Sequence, residues 1–326
     1  MNDKTTDMSS PRYRPAPHYA ALLATVLTWP LLFVGGLVTT YRVGMAVPDW
    51  PTTFGINMFL YDMTRASWAV FGEHTHRLYG AAVGFCVILL VLDFAWFERR
   101  PGIRWLGVVA LVAVVAQGVL GGFRVRLNST LLAAVHGSTA QAFFGFLVAL
   151  CVLTGRSWIQ PPTAVPAATR RRWVGLTLAA VGLISLMVLV GAWLRHYHST
   201  LALALHAGLS VLVLGHCGAL LTRVWTKREL PELVPASRAL AATLTAQLIL
   251  GVAAWWLLRP FDGTPRNVTL VQALIRTGHQ ANAGLLLASA VVLALRAYGP
   301  RVAVADVGPV PGPVVETRAR DLEAVA

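Results

Sequence analysis

The chain has 326 residues, 56% of them hydrophobic and 13% charged, with a mean hydropathy of +0.63. A soluble domain carries about 25% charge, so this composition excludes a soluble enzyme, a disordered protein and a secreted disulfide scaffold, and indicates an integral membrane protein. The net charge of +13 is no sign of nucleic-acid binding, because only two of the 27 basic residues are lysine and most arginines gather in loops on one side.

A helix needs about 20 apolar residues to cross the hydrocarbon core, and eight stretches meet that length. They run over 20–40, 78–97, 104–122, 131–154, 174–194, 201–222, 239–258 and 279–297. The first follows a polar tail, 1–19, but its apolar run is too long for a signal peptide and reads as a retained helix. The fold class is therefore all-α membrane protein, with eight transmembrane helices in two tandem four-helix bundles, 20–155 and 174–298. Residues 156–173 form the linker between them. Most basic residues fall in the tail, in that linker and in the other connections on the same side, such as Arg99, Arg100, Arg104, Arg223, Lys227 and Arg228. The positive-inside rule then places both termini inside.

On the outer side, residues 41–76 read as a long loop, with Pro48-Asp49-Trp50-Pro51 as a folded cap on the membrane surface. A second outer loop, 259–276, contains Pro260, Gly263 and Pro265. The tail 299–326, rich in Val, Pro, Gly and charge, reads as disordered. Cys86, Cys151 and Cys217 all lie in apolar spans at no metal-ligand spacing and read as small fillers.

An internal repeat links the halves. Ala116-Gln117-Gly118-Val119-Leu120-Gly121 in the third span matches Ala246-Gln247-Leu248-Ile249-Leu250-Gly251 in the seventh. Each is followed by an outer connection and a helix that opens with histidine, His136 before Ala140 and His279 before Ala283. An even number of crossings restores orientation, so the duplicated units are parallel repeats.

Histidines are the most informative feature. His76, His136, His206 and His279 stand at or near the starts of the four even-numbered helices, at similar shallow depth below the outer surface. Ionisable residues in membrane helices are rare and functional by default. Four imidazoles can bind metal ions, relay protons or ligate haem. Metal-ion sites commonly add carboxylates or thiolates, whereas haem needs one or two axial ligands from facing helices. Two histidines per half suit one bis-histidine haem in each bundle. His216, ten residues beyond His206 and on another face, reads as packing or an interhelical bond, His18 as part of the tail, and His196 and His198 as loop residues.

The densest cluster is Glu73-His74-Thr75-His76-Arg77. Glu73 and His76 share a face if the helix already includes Glu73. A carboxylate one turn outward from a haem ligand is placed as a general base. Arg77 reads equally as a partner for a haem propionate or as a boundary ion pair with Glu73. His74 is expected to point away, into the loop.

At these residues the chain resembles the haem A synthase family. The carriers are Gly35-Gly36-Leu37-Val38-Thr39, Gly44-Met45-Ala46-Val47-Pro48-Asp49-Trp50-Pro51, Glu73-His74-Thr75-His76-Arg77, His136-Gly137 and His279-Gln280, and they cover the plan from about 20 to 297. The resemblance implies oxidation of the C8 methyl of haem O to a formyl group by two successive hydroxylations, in support of cytochrome oxidase assembly. It also implies that His76 and His136 flank the substrate haem O in the N-terminal half, with Glu73 beside it. His206 and His279 would ligate a haem b cofactor in the C-terminal half, with Arg77 as a cofactor-binding residue. Many family members carry a cysteine just before Pro-Asp-Trp-Pro; here that position is Val47, so a thiol role there is absent.

The expected protein is thus a multi-pass oxidoreductase of a bacterial plasma membrane, its active layer near the outer face. Its partners would be haem O, the lipid bilayer, an electron acceptor, and haem O synthase or cytochrome oxidase assembly proteins, with no nucleic acid. The main rival is a quinol-linked dihaem b-type electron-transfer protein, which needs both histidine pairs but neither Glu73 nor the Pro-Asp-Trp-Pro loop. A third reading, a transporter with histidines along its path, would need broken helices at mid-membrane.

Overall fold

The computed structural model describes residues 13–159, 163–257, 267–299 and 301–304. Eight helices long and apolar enough to cross a membrane dominate it: α1 (Pro15–Thr40), α2 (Trp68–Phe97), α3 (Pro101–Arg126), α4 (Thr130–Thr154), α5 (Ala167–Tyr197), α6 (Thr200–Lys227), α7 (Leu233–Leu257) and α8 (Leu270–Tyr298). The chain is a multi-pass membrane protein. Side chains such as Phe85, Val112, Leu189, Val211 and Val252 are exposed in mid-span, where lipid is their natural solvent.

Several helices overrun their apolar stretches because a cap, not the first apolar residue, sets the start. Ser67, Ser129, Ser199 and Thr269 each accept a hydrogen bond from a first-turn N–H, and Thr269 forms a full capping box with Gln272. So α2 begins ten residues before the expected span, and the loop before it is shorter, 41–67. Each of the four histidines then lies more than one and a half turns inside its helix, roughly 9–14 Å from its start, rather than opening it.

Packing repeats between the halves. Helices α1 to α4 pack each on the next and α1 closes on α4; α5 to α8 do the same, with α5 closing on α8. Each set encloses its own buried core, around Leu90, Phe94 and Leu147 in the first and around Ile184, Leu220 and Leu240 in the second. The sets meet through α1, α4, α5 and α8, where Leu32, Phe144 and Ala288 form a third cluster. Small residues let these helices approach: Gly36 lies against Thr277 and Gln280, and Gly284 against Leu32 and Phe144. Trp29 Nε1 adds a hydrogen bond to the Ala281 carbonyl, 3.3 Å.

At the opposite end from the histidines, Thr163–Pro166 pairs in parallel with Arg301–Val304. That stretch of the C-terminal tail is therefore a strand rather than disordered; 305–326 lies outside the described residues. Of the expected second outer loop, 259–266 with Pro260, Gly263 and Pro265 lies outside them too, and 270–276 belong to α8 rather than to the loop. The first outer loop is folded. Thr52–Thr53 and Ile56–Asn57 form a hairpin through Phe54 and Gly55, both at positive φ (52° and 76°), the geometry a two-residue hairpin turn requires.

Candidate functional site

All four expected imidazoles line one cavity of about 1110 Å³, shared by both halves. The upper end of ordinary small-ligand pockets is about 1,000 Å³, so this space suits a ligand larger than most. Each ring is seated against a glycine of the preceding helix. A Cβ added to Gly35 would stand 2.8 Å from His76 Cε1, one on Gly121 3.2 Å from His136, one on Gly191 3.1 Å from His206, and one on Gly251 3.0 Å from His279. Real Cβ atoms essentially never come as close as at Gly35 and seldom as close as at the other three, so a side chain at any of them requires the ring to give way. The repeat glutamines join this arrangement. With its amide turned so that its oxygen faces donors, Gln117 donates to His136 Nδ1 at 3.2 Å. The Gln247 amide nitrogen lies 3.4 Å from His279 Nε2.

The N-terminal half surrounds its pair with a pinned loop. Glu73, 2% exposed, pairs through Oε1 with Arg77 (2.7 Å) and accepts the Val47 N–H on Oε2 (2.9 Å). Arg77 also donates to the carbonyls of Val47, Asp49 and Thr52 at 2.6, 2.6 and 3.1 Å. The ion pair with Glu73, one of its two expected roles, is formed. Trp50 of the loop packs on Gly122 and Arg124 on Gly44. Arg124 donates to the Gly44 carbonyl at 3.3 Å. His74 is not a loop residue: it sits in α2, fully buried, with Nδ1 3.0 Å from Thr53 Oγ1 and its ring 5.2 Å from that of Tyr61.

Asp49 anchors the hairpin from outside the spans. Its carboxylate accepts from the Thr52 hydroxyl (2.5 Å) and from the N–H groups of Phe54 (2.8 Å) and Gly55 (2.9 Å). Partial burial pushes its pKa up, but the hydrogen bonds from Gly55, Thr52 and Phe54 outweigh it and lower the value to about 2.

In the C-terminal half the ring centres of His206 and His279 are 6.2 Å apart. Two imidazoles on either side of one metal, each nitrogen about 2.0–2.1 Å from it, put their centres roughly 6 Å apart. The Nδ1 atoms of His76, His206 and His279 are buried without a hydrogen-bond partner. Spacing, orphaned nitrogens and the glycine cradles fit a haem-type ligand. Among the described residues no cluster of three or more His, Cys, Asp or Glu converges as a metal-ion site. Arg195 and Arg276 line the same half of the cavity.

His216 Nε2 is 2.9 Å from the Leu176 carbonyl, the expected interhelical contact, which leaves His206 as the helix-6 imidazole at the cavity. His18 and His196 lie in helices α1 and α5 rather than in tail and loop. His18 Nδ1 is 3.0 Å from the Cys151 carbonyl, and His196 and His198 line the cavity. The three cysteines are free. Sequence reasoning noticed Gly121, Gly251, Gln117 and Gln247 as repeat markers but gave them no task; their signal was the recurrence of the same pattern on the helix that precedes each histidine.

A family profile described as cytochrome oxidase assembly protein (COX15-CtaA) matches residues 18–208. That range contains His76, His136 and His206 and stops before His279. Among curated proteins, one named "Heme A synthase" from Shouchella clausii (strain KSM-K16) is 27% identical over 176 residues, 53% of this chain and 56% of that protein. A protein of the same name from Listeria monocytogenes serotype 4b (strain F2365) is 27% identical over 139 residues, 41% of this chain and 43% of its own length. Another from Sphingopyxis alaskensis is 23% identical over 193 residues, 49% and 53%. The chain spans about half the length of the curated relatives it matches.

Proposed function

Because this chain belongs to the cytochrome oxidase assembly protein (COX15-CtaA) family, we propose that it acts as a haem A synthase, a membrane oxidoreductase that converts the C8 methyl of haem O to a formyl group by successive hydroxylation. One observation carries the reading: two imidazole pairs share a cavity, each ring is held by a glycine, and among the described residues only one pair has a carboxylate a turn away. The quinol-linked electron-transfer reading has no support from the relatives, and it leaves Glu73 and the pinned loop without a task.

The N-terminal half, 20–155, holds the substrate. His76 and His136 flank haem O, whose apolar tail extends among the aliphatic side chains of the cavity, including Leu111, Val114 and Val115. Oxidation of a methyl group releases protons with the electrons, and Glu73 is the acceptor beside His76. Its two oxygens are oriented by Arg77 and the Val47 N–H, the arrangement of a base aimed by its own partners. The loop 41–67 closes this end and limits water entry.

The C-terminal half, 174–298, holds haem b between His206 and His279. Bound there, haem b supplies one-electron redox chemistry. Gln247 fixes the His279 ring from the second turn of contacts. The basic connections set the orientation, with both termini inside and the histidine layer toward the outer face of a bacterial plasma membrane. Haem O synthase or other oxidase assembly proteins hand over the substrate from within the bilayer.

The test is haem extraction from detergent-purified protein with mass analysis and a reduced-minus-oxidised spectrum, on wild type and Glu73→Gln. Wild type is expected to hold haem b together with haem O or its hydroxylated and aldehyde products, and Glu73→Gln to keep haem b while haem O accumulates. Two haem b per chain with no haem O derivative would sink the synthase reading, and unchanged haem A yield in the variant would remove Glu73 from catalysis.

A further inference from the structure

In the C-terminal half each imidazole has a guanidinium one turn outward. Arg276 precedes His279 by three residues on α8, which puts it on the same face about 4.5 Å nearer the helix start. Arg195 follows Gly191, the seat of His206, by four residues on α5, about 6 Å further toward the same end. Both line the cavity.

Among the described residues neither has an acidic partner. The ion pairs among the described residues are Glu73–Arg77, Glu98–Arg100 and Arg172–Glu229. Arg195 Nη2 donates to neutral oxygens, the Gly36 carbonyl at 2.9 Å and Thr40 Oγ1 at 2.7 Å, and a guanidinium has five N–H donors to place. Arg195 and Arg276 also repel each other, and Arg42 adds positive charge beside Arg276. Cations gathered in a low-dielectric cavity are costly without an anion among them.

The other half lacks this pair. At the repeat-equivalent positions stand Ala133, three residues before His136, and Thr39, four beyond Gly35, whose hydroxyl donates to the Gly35 carbonyl at 3.0 Å; the arginines that line the cavity in that half, Arg77 and Arg124, are tied to Glu73 and to carbonyls of the first outer loop. The two guanidiniums are a feature of the C-terminal half, at the level where a macrocycle between His206 and His279 would present its polar edge.

We propose that Arg195 and Arg276 form a carboxylate site that takes the two propionates of the porphyrin seated between His206 and His279. The assignment rests on the haem reading above and adds to it the direction of binding, propionates toward the outer end. Arginine suits the task because its planar fork matches a carboxylate bidentately.

The experiment is spectral titration of protein from haem-depleted cells with haem b and with haem b dimethyl ester, in nanodiscs of neutral or anionic lipid. Wild type is expected to prefer free haem b by roughly tenfold or more, the scale of one charge-assisted bond. Arg195→Gln and Arg276→Gln should each reduce that preference and together abolish it, with affinity for the ester retained. Equal affinity of wild type for both ligands would overturn the site, and so would variants that lose haem and ester alike, since that marks a merely structural role. Affinity set by anionic lipid, with haem and ester equal, would assign the arginines to headgroup phosphates instead. If wild type binds neither ligand and His279→Ala changes nothing, the haem reading itself fails, a result distinct from binding without preference.

Discussion

The two halves hold their histidines by the same device and set different charged groups beside them. Gly35 and Gly121 seat the first pair, Gly191 and Gly251 the second, and Gln117 and Gln247 touch the ring of the following helix in equivalent places. Three residues before the histidine of α2 stands Glu73; three before that of α8 stands Arg276. These are not equivalent positions of the repeat; what differs is that Arg77 and Arg124 in the first half are tied to Glu73 and to loop carbonyls, whereas Arg195 and Arg276 have no carboxylate partner among the described residues. Under the proposed function the difference has a direct meaning. A site that releases protons needs a carboxylate, and a site that only holds an anionic cofactor and passes electrons needs a cation.

The sharpest way to break the comparison is to remove the cation that tames the carboxylate. In Arg77→Ala, Glu73 stays buried without its partner while three loop carbonyls lose their donor. Breaking a buried ion pair from one side costs about 3–5 kcal/mol. The expected outcome is a loop 41–67 that becomes open to limited proteolysis, with thermal stability reduced and the haem b spectrum of the other half kept. An intact, protected loop in this variant would mean that the hairpin holds without Arg77 and that the ion pair is incidental.

Much of this was legible in the sequence, and the limits have physical causes. An apolar run of twenty residues is the strongest pattern a chain can show, so all eight spans were found. Their starts were not, because Ser67 caps α2 ten residues ahead of the apolar run and a helix end needs only its N–H groups satisfied. The four histidines stood out because imidazoles are costly in lipid. Their seats did not: the chain has 28 glycines, and only distances tell Gly251, against His279, from Gly80, with nothing near. His74 looked like a loop residue because its partners, Thr53 and Tyr61, come from a hairpin whose register no local pattern announces. Val47, standing where relatives were expected to carry cysteine, is fully buried and holds both Glu73 and Arg77 through its backbone. The loop is therefore fixed at that point without any contribution from a thiol.

Glycine substitutions sharpen the shared part of the comparison. Gly35→Ala and Gly251→Ala each place a methyl within 3.0 Å of an imidazole carbon, and overpacking of this kind costs about 1–3 kcal/mol. Gly80→Ala and Gly175→Ala, with nothing within 4 Å, should change stability by under about 1 kcal/mol, in the stabilising direction if at all. The spectra separate position from mere stability. Gly251→Ala should alter the band positions and intensity of bound haem b, and Gly35→Ala should leave them alone while haem O oxidation slows. If both variants perturb the same spectrum equally, the halves do not hold separate ligands.

The smallest effect concerns the hairpin of the first outer loop. Hydrogen bonds from Gly55, Thr52 and Phe54 outweigh burial and lower the Asp49 pKa from 3.8 to about 2. A folded-state pKa below the unfolded value adds stability that is complete above the unfolded pKa and disappears as pH falls through the folded one. Proteolytic protection of the hairpin should therefore be flat from pH 7 to about 4 and decline only between about 4 and 2. Asp49→Asn keeps one acceptor oxygen and loses the charge, so it should cost about 1 kcal/mol at neutral pH and flatten the acid limb. A midpoint above pH 4 that survives in Asp49→Asn would shift the control of the loop from Asp49 to another group.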